Sequence, residues 1–163
     1  MPQRASARKL ARALEMAHEY VNRVCAGLEP DQMNWHTAGC PESVRKQLKH
    51  LIQAERYFAT RMGWDTPRKR RRDDPLAEYA RLLEMYQERL SARRGTIEIR
   101  PFSGRKPASD HLGWVVLRLC FHALFHAPRI TLLRRQHNPT WRAAKKGVSW
   151  VQLCDYLATL VGT

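Results

Sequence analysis

The chain has 163 residues, of which 44% are hydrophobic and 27% are charged, and these proportions are typical of one globular domain with its own core. They exclude wholesale disorder, and no run approaches the roughly 18 consecutive apolar residues of a membrane-spanning helix. The formal net charge of +14 predicts attraction to anions without specifying their kind. We therefore expect a single cytoplasmic domain over residues 1–163, since no secretory signal is evident.

The first half of the chain contains two predicted helices joined by a polar loop. Residues 10–28 place apolar side chains on one helical face at alternating steps of four and three, and Pro30 ends this pattern. The second helix is expected to begin at Pro41, because a proline is tolerated in the first turn of a helix. It is expected to run to about Gly63.

A third helix follows, and after it the sequence predicts an irregular crossing segment. Asp74 before Pro75 is typical of a helix start, and Gly95 is a typical helix stop. Residues 96–108 contain several turn formers, with a short extended piece expected at residues 96–99.

The last two predicted helices differ in character. The fourth runs from near Ser109 to about Gln136, and its first half is apolar nearly all round, which indicates the most buried helix of the set. Ser149 opens a capping-box pattern that predicts the fifth helix. The inward-facing residues of this helix are expected to be Val151, Cys154, Ala158 and Val161.

This order of elements predicts an all-α fold, a four-helix bundle with a long crossover and an additional C-terminal helix. Neither a strand pair nor an internal repeat is expected. The four cysteines form no CxxC pair, so we interpret them as small core residues and not as zinc ligands.

Two histidines lie on the apolar face of the fourth predicted helix. His122 and His126 are four residues apart, so their Cβ atoms are expected roughly 5–6 Å apart on one face. Buried imidazoles need partners, and a divalent metal ion satisfies both rings, whereas hydrogen bonds to carbonyls or neighbouring side chains are the alternative. His50 lies on the flank of the second helix's apolar stripe, from which it points either into a bundle or out of it.

Glu55 falls on the apolar stripe of the second helix itself, where a carboxylate needs a partner. An ordinary buried ion pair, a metal-bound water or the second nitrogen of a ligand histidine would each satisfy it. Glu55 is therefore the candidate catalytic acid or base. Four other histidines are expected to be solvated or to cap helices: His18, His36, His111 and His137.

Three segments resemble the DinB/YfiT-like superfamily of metalloenzymes. Residues 47–58 read QLKHLIQAERYF, residues 122–136 read HALFHAPRITLLRRQ, and residues 27–44, before the second helix, read GLEPDQMNWHTAGCPESV. The motifs are short, but their order and spacing together resemble those of this family from about Ala17 to the end of the chain.

The resemblance implies a four-helix bundle with a long crossover and one divalent metal ion held by three histidines. Carried over by position, the ligands are His50 from the second helix and His122 and His126 from the fourth. Zinc and nickel are the metals that the resemblance favours. It also implies that a low-molecular-weight thiol is a possible cosubstrate.

The leading functional hypothesis is a metal-dependent transferase or hydrolase that acts on a small substrate. Three neutral imidazoles leave a divalent ion with at least one open position, where water or a thiol loses its proton more easily. Glu55 is the candidate acid or base. Arg118 and Arg129 flank the histidine stripe and are candidates for holding a substrate carboxylate or phosphate.

The sequence leaves two alternatives open. A non-enzymatic protein that binds nucleic acid non-specifically would use the basic run of Arg68, Lys69, Arg70, Arg71 and Arg72, which is otherwise interpreted as a solvated linker. A bundle without metal would serve as a scaffold or as one subunit of a homodimer. The candidate residues for such a dimer surface are Trp64, Met85 and Trp141.

Overall fold

The computed structural model describes residues 3–68, 74–99 and 111–162 of the chain. Most of these residues are helical, as the sequence predicts. The helices are α1 (Ala7–Cys25), α2 (Val44–Arg61), α3 (Pro75–Ser91), α4 (Leu112–His137) and α5 (Trp150–Val161), and the strands are β1 (Gln3–Ser6) and β2 (Thr96–Ile99). A single 3₁₀ turn at Gln32–Asn34 interrupts the loop between α1 and α2.

The helices bury one shared apolar core. Helix α1 packs against α3, α4 and α5, and α2 packs against α3 and α4. Leucines at helical spacing form much of this core. The fully buried ones include Leu10, Leu14, Leu48, Leu82, Leu90, Leu117 and Leu133. The packing of α2 against α4 brings two histidine-bearing helix faces together.

Side chains cap the helices where the sequence provides them. Asp74 accepts a hydrogen bond from the amide of Leu76 at the start of α3, and Ser149 forms the predicted capping box of α5. The start predicted for α2 is wrong by three residues, because Ser43 is the N-cap and Pro41 lies before the helix. A serine hydroxyl can satisfy a free amide at the first turn, which a proline cannot do.

The expectation of no strand pair is wrong. Strand β1 pairs antiparallel with β2, from Gln3 opposite Ile99 to Ser6 opposite Thr96. The extended piece predicted at residues 96–99 is thus present. The start of α4 lies tightly against this strand, since a Cβ atom added at Gly113 would be 2.1 Å from the carbonyl oxygen of Glu98.

The buried face of α5 also differs from the prediction. The fully buried residues are Leu153, Leu157 and Leu160, whereas Val151 is 57% exposed. Cys154, Ala158 and Val161 are only partly buried. The three larger leucines bury more apolar area than the smaller side chains would, so they face α1 and the core.

The residues expected for a dimer surface are not exposed. Met85 is buried, Trp64 is half-buried with its ring 5.4 Å from that of Tyr86, and the ring of Trp141 lies against Arg134.

Helix α4 alone among the described helices is long and apolar enough, by length and composition, to cross a membrane. Half of its most apolar stretch is buried inside the protein, and core helices commonly pass the same test.

Candidate metal centre

The three predicted ligands meet where α2 packs against α4. The Nε2 atoms of His122 and His126 are 3.1 Å apart. The ring of His50 is centred 4.8 Å from that of His122 and 5.0 Å from that of His126. One ligand nitrogen from each ring lies within 4.8 Å of the other two. The helix flank that carries His50 therefore faces α4.

This spacing fits a small divalent ion. Two nitrogens bound at about 2.0–2.1 Å in a tetrahedral site are separated by roughly 3.3 Å, which is close to the distance between His122 and His126. His50 needs to approach by less than about 2 Å, and side-chain rotation supplies such a movement at an exposed position. An all-imidazole set suits zinc, nickel, copper or iron better than calcium or magnesium.

Gln47, which the sequence analysis did not single out, orients one of the predicted ligands. It lies on α2 one turn before His50 and is fully buried, and its Oε1 is hydrogen-bonded to Nδ1 of His126. A carbonyl oxygen only accepts, so Nδ1 of His126 carries the proton and its Nε2 presents a lone pair toward His122. A hydrogen bond of this kind fixes the tautomer and the ring plane of a metal-binding histidine.

The orientation of Gln47 is set by the loop before α2. Its Nε2 donates to the Glu42 carboxylate at 3.2 Å and to the Glu42 carbonyl at 3.4 Å, and it lies 3.9 Å from Sγ of Cys40. Because these atoms are acceptors, the amide nitrogen faces the loop and the amide oxygen faces His126. The sequence contains one indication of this role. Gln47 lies between Val44 and Leu51 on an apolar stripe, where a buried polar side chain needs a hydrogen-bond partner.

The electrostatics of the cluster favour neutral imidazoles. Burial, with the nearby His50 and Arg118, lowers the pKa of His122 to about 4. Burial, with the nearby His122, His50 and Arg129, lowers the pKa of His126 to about 3. Both rings are therefore uncharged near neutral pH, which is the form that binds a metal ion.

The three histidines line a cleft of about 530 Å³ between α2 and α4. Its other lining residues are Glu42, Arg118, Phe121, Phe125 and Arg129. Both predicted substrate-binding arginines are thus beside the histidines. Phe121 and Phe125 are 39% and 54% exposed, so the cleft combines cationic and apolar surface.

The structure places Glu55 away from this cleft. It is 2% exposed, and its Oε1 lies 2.7 Å from Nε2 of His18, which is itself fully buried and stacked on Tyr79. The expectation that His18 is solvated or caps a helix is wrong. Nδ1 of His18 and Oε2 of Glu55 have no hydrogen-bond partner among the described residues. The catalytic role of Glu55 stays a prediction, and the observed contact is the buried pair that the sequence offered as its alternative.

The remaining predicted residues lie outside the cluster. His111 is the N-cap of α4, where its Nδ1 accepts from the amide of Trp114, and His137 stacks on Trp35. His36 is exposed in the loop before α2. Of the basic run, Arg68 is exposed, and residues 69–72 lie outside the described residues.

Comparisons with protein-family models, with curated proteins and with solved structures find no match to this chain.

Proposed function

We propose that the protein is a metal-dependent enzyme built on a DinB-like four-helix bundle with a long crossover. In this proposal His50, His122 and His126 hold one divalent ion, zinc or nickel. The protein acts as a transferase or hydrolase on a small substrate, with a low-molecular-weight thiol as a possible cosubstrate. The observation that carries the proposal is the approach of three imidazoles from two helices, with two Nε2 atoms 3.1 Å apart.

Three properties of the surroundings support a metal site over a chance cluster. Two of the rings are held neutral near pH 7, His126 is oriented by Gln47, and the cluster opens into a cleft large enough for a small molecule. Hydrogen bonding alone would satisfy His126 through Gln47. It would not require a second and a third histidine at the same point.

The roles of the protein's own groups follow from their positions in the cleft. Gln47 keeps Nε2 of His126 unprotonated, and the two phenylalanines offer apolar contact to a substrate. Arg118 and Arg129 make the cleft cationic, which favours a substrate with an anionic group. A divalent ion, when bound by three imidazoles, supplies a Lewis acid with an open position for the reacting group.

Elemental analysis of untagged purified protein tests the proposal. The variants are His50→Ala, His122→Ala and His126→Ala, and His36→Ala is the matched control because this exposed histidine lies outside the cleft. The wild type and the control are expected to hold about one zinc or nickel ion per chain after loading and dialysis, and the cleft variants are expected to hold much less. The same metal content in His122→Ala and His36→Ala would contradict the three-histidine site.

A further inference from the structure

The two arginines of the cleft lie at opposite ends of it. Arg118 and Arg129 are eleven residues apart on α4, which is about three turns, so they project from the same face roughly 16 Å apart along the helix axis. The histidines lie between them, four residues after Arg118 and three residues before Arg129. One small anion therefore binds at one end of the cleft or at the other.

Arg129 is already engaged by the protein. Its guanidinium lies over the ring of Phe125, 4.0 Å from the ring centre, and its Nη1 is 3.9 Å from the Glu42 carboxylate. The same carboxylate accepts from Gln47, so Glu42 links Arg129 to the residue that orients His126. An incoming anion at this end would have to displace Glu42 or share the guanidinium with it. Arg129 therefore fits a role in positioning the loop and the cleft wall.

Arg118 is different. It is exposed at the cleft, and no hydrogen bond or ion pair joins its guanidinium to another described residue. Phe121, which also lines the cleft, lies one turn further along α4. This end of the cleft thus offers a cation and an exposed aromatic ring beside His122.

We propose that Arg118 anchors an anionic group of the substrate, and that the substrates are small carboxylates with an apolar or aromatic portion that contacts Phe121 and Phe125. This inference rests on the proposed function, since it assumes that the reacting group lies at the three histidines. The residues Arg118 and His122 are i and i+4 neighbours, whose Cβ atoms are about 5–6 Å apart. The anionic group and the reacting group therefore bind at the same end of the cleft.

Phenylacetate is a suitable probe, with phenylacetamide as its uncharged analogue. Binding is followed by chemical-shift titration of protein that has been loaded with zinc, and the metal content of each sample is measured. We expect phenylacetate to bind at least about tenfold more tightly than phenylacetamide, since a hydrogen bond to a charged group contributes more than one to a neutral group. Shifts are expected at α4 residues around Arg118 and Phe121.

The variants Arg118→Gln, Arg129→Gln and Arg93→Gln locate the anion. Arg93 is exposed and does not line the cleft, so its variant controls for the loss of one positive charge from a strongly basic protein. Arg118→Gln is expected to remove most of the preference for phenylacetate, whereas the other two variants keep it and all three keep the metal.

If Arg129→Gln removes the preference equally, or if Arg118→Gln leaves it unchanged because the carboxylate binds zinc directly, the assignment of Arg118 is wrong. Equal binding of both probes to zinc-loaded protein would contradict the anion site but not the metal site, and a protein that holds neither zinc nor nickel would contradict the proposed function and this inference together.

Discussion

Gln47 on α2 and His126 on α4 form a buried hydrogen bond that ties a candidate ligand to the opposite helix. The amide nitrogen of Gln47 is held by Glu42 and the amide oxygen faces His126, so the contact fixes which imidazole nitrogen is free. Among the described residues, no comparable hydrogen bond acts on Nδ1 of His122, so the two predicted α4 ligands are not equivalent.

The first prediction concerns Gln47. Replacing it with leucine removes the acceptor for His126, and we expect the affinity for zinc to fall by about 10–100-fold while the helical content stays near that of the wild type. Gln53→Leu changes an exposed glutamine of the same helix that does not line the cleft, and it is expected to retain most of the affinity. Competition with a chromophoric zinc chelator measures both values, and an unchanged affinity in Gln47→Leu would show that the contact does not orient the ligand.

The second prediction concerns the pH dependence of stability at Glu55. Burial raises the pKa of Glu55, and the neighbouring His18 only partly offsets this effect. A carboxyl whose pKa is raised on folding contributes stability below its ordinary pKa, about 4.3, and loses that contribution as the pH rises through the folded-state value. The free energy of unfolding of the wild type, relative to Glu55→Gln, should therefore fall as the pH rises from about 4.

Urea unfolding of both proteins across this pH range measures the difference. A difference that stays constant with pH, or that grows in favour of the wild type at higher pH, would show that Glu55 is ionised without cost in the fold.

The third prediction tests the orientation of α5. Leu157 is 2% exposed and Val151 is 57% exposed. Leu157→Ala should lower the free energy of unfolding by about 2–5 kcal/mol through the cavity it leaves, and Val151→Ala should change it by less than about 0.5 kcal/mol. Denaturant titration compares the two. Similar losses in the free energy of unfolding for the two variants would mean that α5 is rotated about its axis relative to the observed packing.

The fourth prediction concerns the approach of α4 to β2 at Gly113. An added methyl group would overlap the carbonyl oxygen of Glu98, and the contacting atom is backbone, which cannot rotate away. We expect Gly113→Ala to destabilise the fold by about 1–3 kcal/mol, although alanine is ordinarily the better helix former. Gly39→Ala is a useful control, because nothing lies within 4 Å of the added atom and its backbone φ is not positive. A stabilised Gly113→Ala protein would contradict this close packing.

The sequence predicts the helices well where local chemistry determines their ends. Asp74 with Pro75 and the Ser149 capping box act within one turn, so their patterns indicate helix starts without any tertiary information. The pairing of β1 with β2 joins residues 90 to 96 positions apart, and a four-residue strand carries too little alternation to reveal its partner. The buried face of α5 was mispredicted because apolar residues occur on two of its faces, and packing against α1 decides between them.

The site shows the same division between local and tertiary information. The four-residue spacing of His122 and His126 is visible in the sequence, and the resemblance selects His50 as their partner. Gln47 and the burial of His18 depend on how α1, α2 and α4 are rotated against one another. The periodicity of a single sequence shows which residues share a helix face, but it leaves undetermined which residues of another helix that face meets.

The most direct test is a crystal structure of protein soaked with zinc, with data collected on both sides of the zinc absorption edge. We expect one strong anomalous peak per chain, about 2.0–2.1 Å from Nε2 of His122, from Nε2 of His126 and from one ring nitrogen of His50. No peak at the three histidines in saturating zinc, or a peak only elsewhere on the chain, would contradict a metal site formed by these residues.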